Sequence, residues 1–349
     1  MNSIPAQYED INLLEEKLAG SKLPPDLYQK SKAMIDRLTR LASAQGFSQE
    51  YDSVSRYLDW IVNLPWNQKG QDILNLGYAK KILDKNHFGL QGLKERILEY
   101  ISIASLKHSK GEKTKAPALL LLGLVGTGKT TMAISVAQAL GRKFGRIPMG
   151  GMGDALQLRG KSRSYPGSEP GQIIKVLRRI GTNNPVILLD EIDRITDESK
   201  SDIMGVLVEL LDPEQNSKFL DQFIDYPFDL SDIFFVATAN NTRGIATAVL
   251  DRLETVEMPS YTDEQKITIG RNYLLPRALS ASGLSVKDLT INDDVWEAIV
   301  RPLGFDAGMR TLDRTINGIC RKVARGKLEK KVQNVVLSEQ NYKEYLPIS

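Results

Sequence analysis

The sequence predicts an α/β fold built on a doubly wound sheet of parallel strands, with helical segments before and after it. Three observations carry that prediction. A phosphate-loop string, Gly123-Leu-Val-Gly126-Thr127-Gly128-Lys129-Thr130, lies between an apolar run and a helical one. Two further apolar runs end in polar residues, one at Asp190-Glu191 and one at Asn240. Strands covered on both faces read as continuous apolar runs, and sheets of this kind bind ligands at the carboxyl ends of their strands.

Residues 1–68 read as helical. Pro24-Pro25 can open a helix whose apolar positions Leu27, Met34, Leu38 and Leu41 recur at helical spacing, and Tyr57-Leu-Asp-Trp60-Ile-Val-Asn-Leu64 continues the pattern to Pro65-Trp66. The stretch holds no evident catalytic group, which suits a packing or coupling segment. From 69 to 259 helices near 78–83, 90–106 and 131–140 alternate with strands at 117–122, 185–189 and 233–239. After Pro259, Thr262-Asp-Glu-Gln265 is a capping box opening a helix to roughly Leu275; further helices are expected around Trp296 and from Asp306 to Lys330. Residues 260–349 therefore read as a small helical domain.

The chemistry lies at the strand ends. Glycines let a backbone fold round an anion with its N–H groups inward; Lys129 reaches the terminal phosphates, and the Thr130 hydroxyl can ligate Mg²⁺. About sixty residues on, Asp190 is placed to hold the magnesium hydration shell and Glu191 to polarise an attacking water. Together they point to hydrolysis of a nucleoside triphosphate.

Bulk properties exclude other classes. With 46 basic against 43 acidic residues, the net charge of +3 is too balanced to make nucleic acid or an anionic membrane the main partner. The 107–115 stretch reads as a solvated basic loop. One cysteine rules out an internal disulfide, and Cys320 has the spacing of core filler beside Ile316, Ile319 and Val323; two separated histidines offer no transition-metal site. The amino terminus lacks the pattern of a leader, and no apolar run approaches the ~20 residues of a membrane span, so a cytoplasmic protein is expected.

Longer strings resemble the ATPase half of the Lon proteases, which are AAA+ ring ATPases. Tyr57-Leu-Asp-Trp-Ile-Val-Asn-Leu-Pro-Trp66, Leu83-Asp-Lys-Asn-His-Phe-Gly-Leu90, Asn184-Pro-Val-Ile-Leu-Leu-Asp-Glu-Ile-Asp193, Leu211-Asp-Pro-Glu-Gln-Asn216, Pro227-Phe-Asp-Leu-Ser231 and Tyr273-Leu-Leu-Pro276 carry the likeness, from near residue 10 to the end. It implies an AAA+ P-loop NTPase three-layer sandwich at 69–259, an α-helical lid subdomain at 260–349 and an amino-terminal helical segment at 1–68. ATP would be held by Gly123, Gly126, Thr127, Gly128, Lys129, Thr130 and Thr131, and Mg²⁺ by Thr130 and Asp190.

The resemblance assigns further roles. Asn240 corresponds to the first sensor, Arg310 to the second sensor on the lid, and Arg252 to an arginine finger serving the neighbouring subunit; such cations stabilise charge on a transferring phosphoryl group. From the residues alone, Asn240 could equally cap a helix and either arginine could form a surface ion pair. His87-Phe88-Gly89-Leu90 matches the segment beside the adenine, though it would also suit a helix start packed on the core. Tyr165, followed by Pro166, is the candidate aromatic of the substrate-gripping pore loop; the alternative is a surface tyrosine.

The implied function is ATP-driven unfolding and translocation of unfolded or damaged proteins by a homo-oligomeric ring, a hexamer by analogy, within an ATP-dependent serine protease. The chain departs from the family pattern at Leu124-Val125, Gly153, Ala155 and Pro166, and the string carrying the Ser-Lys dyad does not occur in these 349 residues. Two rivals stay open: a stand-alone remodelling ATPase, and a nucleic-acid-associated ATPase using Arg159, Lys161, Arg163 and the 107–115 loop.

Overall fold

The computed structural model describes residues 6–45, 49–112, 115–301 and 308–347. The expected helix start at Asp306 and part of the 107–115 loop fall outside them, as does the side chain of Leu41. Helices α1 (Ala6–Ala19), α2 (Pro25–Gln45) and α3 (Gln49–Val62) come first, followed by α4 (Leu76–Asn86) and α5 (Gln91–Ser109). Next are β1 (Ala118–Leu122), α6 (Lys129–Leu140), β2 (Phe144–Pro148), α7 (Leu156–Arg159), α8 (Gln172–Ile180), β3 (Val186–Asp190) and α9 (Lys200–Leu211). The short strands β4 (Phe219–Leu220) and β5 (Pro227–Phe228) precede β6 (Phe234–Ala239), α10 (Thr247–Leu250) and β7 (Leu253–Glu257).

Five strands form one parallel sheet in the order β2-β3-β6-β1-β7. Its central strands are buried on both faces because successive side chains point opposite ways. Leu120, Ile187, Leu189 and Ala237 join one apolar cluster, shared with α8, α9 and the amino-terminal helices. Leu119, Leu121, Val186, Leu188 and Val236 join another, under α4, α5 and α6. Three of these strands were expected; β2 and β7 were not, and both are edges. The inner face of β2 needs Gly145, where an added Cβ would lie 2.5 Å from Val176, and the Leu-Glu-Thr-Val-Glu of β7 leaves most of its side chains out of the core.

The amino-terminal helices dock on the sheet's first face. Trp66 gives its indole N–H to the Ile61 carbonyl at 2.7 Å and packs its ring 4.8 Å from Phe228. Asp59 pairs with Arg178 of α8, whose guanidinium also lies 4.2 Å over Trp60.

After β7 come α11 (Asp263–Ile269), a π-helical turn (Gly270–Leu274), α12 (Leu275–Ala281), β8 (Leu289–Ile291), α13 (Asp293–Val300), α14 (Arg310–Leu328), β9 (Val335–Leu337) and α15 (Tyr342–Tyr345). The capping box is present in both directions between Thr262 and Gln265. The helix it opens outlasts the expected end near Leu275: the π turn carries it past Pro276, which has no N–H to give, through to Ala281. Cys320 is fully buried in a third cluster with Ile316, Ile319, Val323 and Trp296, and burial pushes its thiol up to about 11. Among the described residues no helix is long and apolar enough to cross a membrane.

Candidate nucleotide site

The carboxyl ends of β1, β3 and β6 are neighbours, and each delivers one part of the site. From β1 the chain enters the glycine loop, where Gly126 and Gly128 have φ of 85° and 96°, a region costly for residues with a Cβ. Thr127 is buried and its hydroxyl donates to the Leu124 carbonyl at 2.9 Å, closing the loop on itself. Thr130 and Thr131 open α6 just beyond. Lys129 folds inward, its ammonium donating to the carbonyls of Gly123 (2.5 Å) and Leu124 (3.0 Å) and to Asn240 Oδ1 (3.1 Å). Burial lowers its pKa, opposed by the carboxylates of Asp193, Asp190 and Glu191.

Asp190 ends β3, buried. Its Oδ1 accepts the Thr238 hydroxyl at 2.6 Å, and its Oδ2 accepts Arg146 of β2 at 2.6 and 2.8 Å. Glu191 follows in a left-handed conformation with φ of 62°, unusual for a residue with a side chain. Its N–H donates to Thr238 Oγ1 at 2.9 Å, so one threonine holds both acids. Gly150 makes room: a Cβ there would come within 3.0 Å of the Glu191 carboxylate. Asn240, one residue past β6, receives the Lys129 ammonium and gives its own N–H to Asp193 at 3.0 Å.

The carboxyl-terminal helical region closes the third side. Met309 N–H donates to Gly126 O at 2.9 Å, and the Tyr261 hydroxyl to Thr127 O at 3.1 Å. Gly308 sits so close that a Cβ would lie 2.5 Å from Val125 O. Arg310 starts α14 beside this contact, and its charge is felt at Lys129. Leu124 and Val125 stand exposed.

Other candidate residues lie elsewhere. His87 is buried with Nε2 3.0 Å from the Ser135 hydroxyl of α6, and burial lowers its pKa to about 4. Phe88 packs against the lid's apolar cluster, while Gly89 and Leu90 turn the chain into α5 with φ of 63° and 56°. Arg252 donates through Nε and Nη2 to Asp212 Oδ2 at 3.0 and 2.9 Å, within its own chain. Tyr165 is 57 % exposed, with the Lys161 ammonium 4.9 Å from its ring centroid; Pro166 follows it in the same turn.

Sequence reasoning passed over Thr238, Asp193, Arg146, Tyr261 and Gly308. Thr238 had a visible signal, a lone hydroxyl in the buried run Phe-Phe-Val-Ala-Thr-Ala. Asp193 had one too, a third acid close behind the pair. Arg146 had none, because its strand was unread.

Residues 119–260 match the model of the ATPase family associated with various cellular activities (AAA), and residues 280–336 the model of the Lon protease AAA+ ATPase lid domain. Lon protease 2 of Herpetosiphon aurantiacus is 42% identical over 92% of the chain and 39% of its own length. The Lon protease of Dictyoglomus thermophilum is 40% identical over 97% of the chain and 42% of itself, and that of Lawsonia intracellularis 41% over 97% and 40%. The chain spans about two fifths of the length of these relatives. An AAA fold, the matching lid model and this likeness make the chain an ATP-hydrolysing enzyme of the AAA type that is similar, over nearly all of its length, to the AAA+ ATPase portion of Lon proteases.

Proposed function

We propose that the chain is the ATP-driven unfolding and translocation module of a Lon-type ATP-dependent protease, acting on unfolded or damaged protein as a homo-oligomeric ring, a hexamer by analogy, in the cytoplasm. The observation that carries this reading is the junction of three elements at one point: the phosphate loop, the Asp190-Glu191 tip, and the lid residues Gly308 to Arg310. In it 1–68 couples, 69–259 binds nucleotide and 260–349 is the lid; the separate apolar cluster between Ile269 and Leu337 supports the last division.

The residues present suit Mg²⁺ and a triphosphate. Thr130 and Asp190 are hard oxygen donors, and Mg²⁺ needs only one or two such side chains beside water and phosphate oxygens. Two buried atoms at the site, Asn240 Nδ2 and Asp193 Oδ1, have no hydrogen-bond partner among the described residues. When bound, Mg²⁺ with ATP supplies a polarised terminal phosphoryl group. Lys129 then exchanges the carbonyls of Gly123 and Leu124 for phosphate oxygens. Glu191 orients water and takes its proton, and Asn240 aligns that water. Arg310 binds the nucleotide of its own subunit, while Arg252 leaves Asp212 to reach a neighbour's; fixed positive charge at those places stabilises the developing charge. His87 to Leu90 would flank the base, with Phe88 at the seam to the lid.

Peptide is a better partner than nucleic acid on the disposition of the basic side chains. Arg159 is paired with Glu209, Arg163 with Asp225, and Lys115 donates to the Pro213 carbonyl. Tyr165 instead stands open to solvent. ATP turnover measured against protein concentration, with and without an unfolded protein, tests the reading. Specific activity should rise with assembly and again with substrate; full turnover by a strict monomer indifferent to unfolded protein would refute it.

A further inference from the structure

The loop that carries Tyr165 leaves the core at Gly160 and returns at Gly171, and its two stems touch. A Cβ on Gly171 would lie 1.9 Å from the Leu158 carbonyl oxygen and 2.7 Å from Gly160 N. A Cβ on Gly160, whose φ is +75°, would lie 2.7 Å from Asp221 Oδ1. This neck has no space for side chains, and one carboxylate occupies its centre. Asp221 is fully buried; its Oδ2 accepts the Gly171 N–H at 2.7 Å, and its Oδ1 accepts those of Phe223 and Ile224 at 2.9 and 3.0 Å. The next residue, Gln222, donates its N–H to Arg159 O at 2.7 Å on the outgoing stem. Both stems are therefore tied to one short turn.

That turn also holds the loop's middle. Arg163 lies with its guanidinium 3.9 Å over the ring of Tyr57, and 3.7 Å from the Asp225 carboxylate. Tyr57, buried on α3, donates its hydroxyl to Ile224 O at 3.2 Å. Further out, Lys161 N–H donates to Glu169 O at 3.0 Å, a rung across the loop just above the neck.

We propose that Asp221 is a positioning residue for substrate grip: it fixes the stems of the 160–171 loop, and so the outward presentation of Tyr165, without touching nucleotide or substrate. The proposal rests on the reading of this loop as the peptide-gripping element. A carboxylate is suited to the place because three N–H groups converge on it and it has only acceptor oxygens to offer. An asparagine of the same shape would turn a donor toward a donor, and a buried N–H left without its acceptor is costly. Desolvation pushes the Asp221 pKa up to about 6, against the pull of those three donors, which marks how far the group has been taken from water.

The test is Asp221→Asn in the full chain, with three readouts. Trypsin cleavage at Lys161 and Arg163 should rise about tenfold, the expected effect of losing a charge-assisted bond at a hinge that must open for cleavage. Basal ATPase should stay within about twofold, because the neck does not contact the phosphate site. The KM for stimulation by unfolded casein should rise severalfold, and Gly160→Ala should reproduce both changes by displacing the same carboxylate. Cleavage and KM both at the wild-type level would overturn the proposal. If cleavage rises while casein stimulation is unchanged, Asp221 positions the loop but the loop is not the gripping element, and it is the translocation reading that fails. Should both variants misfold, hydrogen exchange on the unaltered chain decides. A Gly171 amide protected together with those of Phe223 and Ile224 supports the neck, and exchange at the rate of an open loop removes it.

Discussion

The phosphate loop and the 160–171 loop of this chain are held by opposite means. The phosphate loop is largely self-contained: Thr127 and Lys129 bond within the 123–131 string, and from afar it is met by the lid, by Asn240 and by Ala239, whose carbonyl accepts the Gly123 N–H. The 160–171 loop owes its shape to residues far away in sequence, to Asp221 and Asp225 on one side and to Tyr57 on the other. A locally determined loop keeps its form wherever the motif occurs. A remotely determined loop can be moved by what happens elsewhere, which suits the substrate grip proposed for it.

The comparison can be broken most severely at the phosphate end. Arg252→Ala should lower ATPase in the assembled protein by about 10⁴-fold, the scale of an arginine supplied to a phosphoryl transfer; a normal rate in assembled protein would leave Arg252 as the partner of Asp212 and nothing more. Glu191→Gln should cost about 10³-fold in turnover with ATP binding retained, as loss of a general base does. Equilibrium binding beside single-turnover rates separates the two steps.

A pH series probes the support behind the phosphate helix. His87 has a folded pKa of about 4 against 6.5 unfolded, so between those values the unfolded chain binds the extra proton, and stability falls as pH drops from 6.5 to 4. His87→Gln, which can keep a bond to Ser135 without titrating, should remove that acid-side loss, about 2–3 kcal/mol at most. Urea melts at pH 7 and 4.5 would show it. Asp221 acts with the opposite sign: a carboxyl raised from 3.8 to about 6 loses stability as pH rises through that window, so the two partly cancel in the unaltered protein.

Smaller effects sharpen the contrast. Gly308→Ala places a Cβ against the Val125 and Gly126 backbone; an overpacking strain of about 1–2 kcal/mol should appear as a weaker ATP affinity, roughly tenfold in Kd. Tyr165→Phe keeps the ring and should change unfolded-protein stimulation by less than about twofold, while Tyr165→Ala should reduce it severalfold.

What could be read in advance follows the same division. The phosphate loop, the acid pair and β1, β3 and β6 were legible because each is a contiguous string with its chemistry beside it. The edges β2 and β7 were not, since a strand packed on one side or interrupted by Gly145 lacks the apolar run that marks a central one. The π turn before Pro276 was invisible because helical spacing continues through it. Asp221 was unreadable for a deeper reason. In Phe219-Leu-Asp-Gln-Phe-Ile-Asp225 it is one acid of two, and what distinguishes it is a glycine pair, Gly171 and Gly160, far earlier in the sequence that only the folded chain brings to it. Arg252 and Tyr165 drew their assignments from the family strings, and their local surroundings, an ion pair and a solvent-facing turn, are neutral between the alternatives.

The buried thiol in the lid has a practical reach. Cys320 is the chain's single cysteine, enclosed by Trp296 and Ile316 and almost wholly protonated at neutral pH. Maleimides and similar electrophiles, which need an accessible thiolate, should pass it by. A dye or spin probe attached through a cysteine newly placed at any exposed position would then report from that point alone, so the motions of lid, neck and amino-terminal helices can each be followed by spectroscopy without stripping the native thiol.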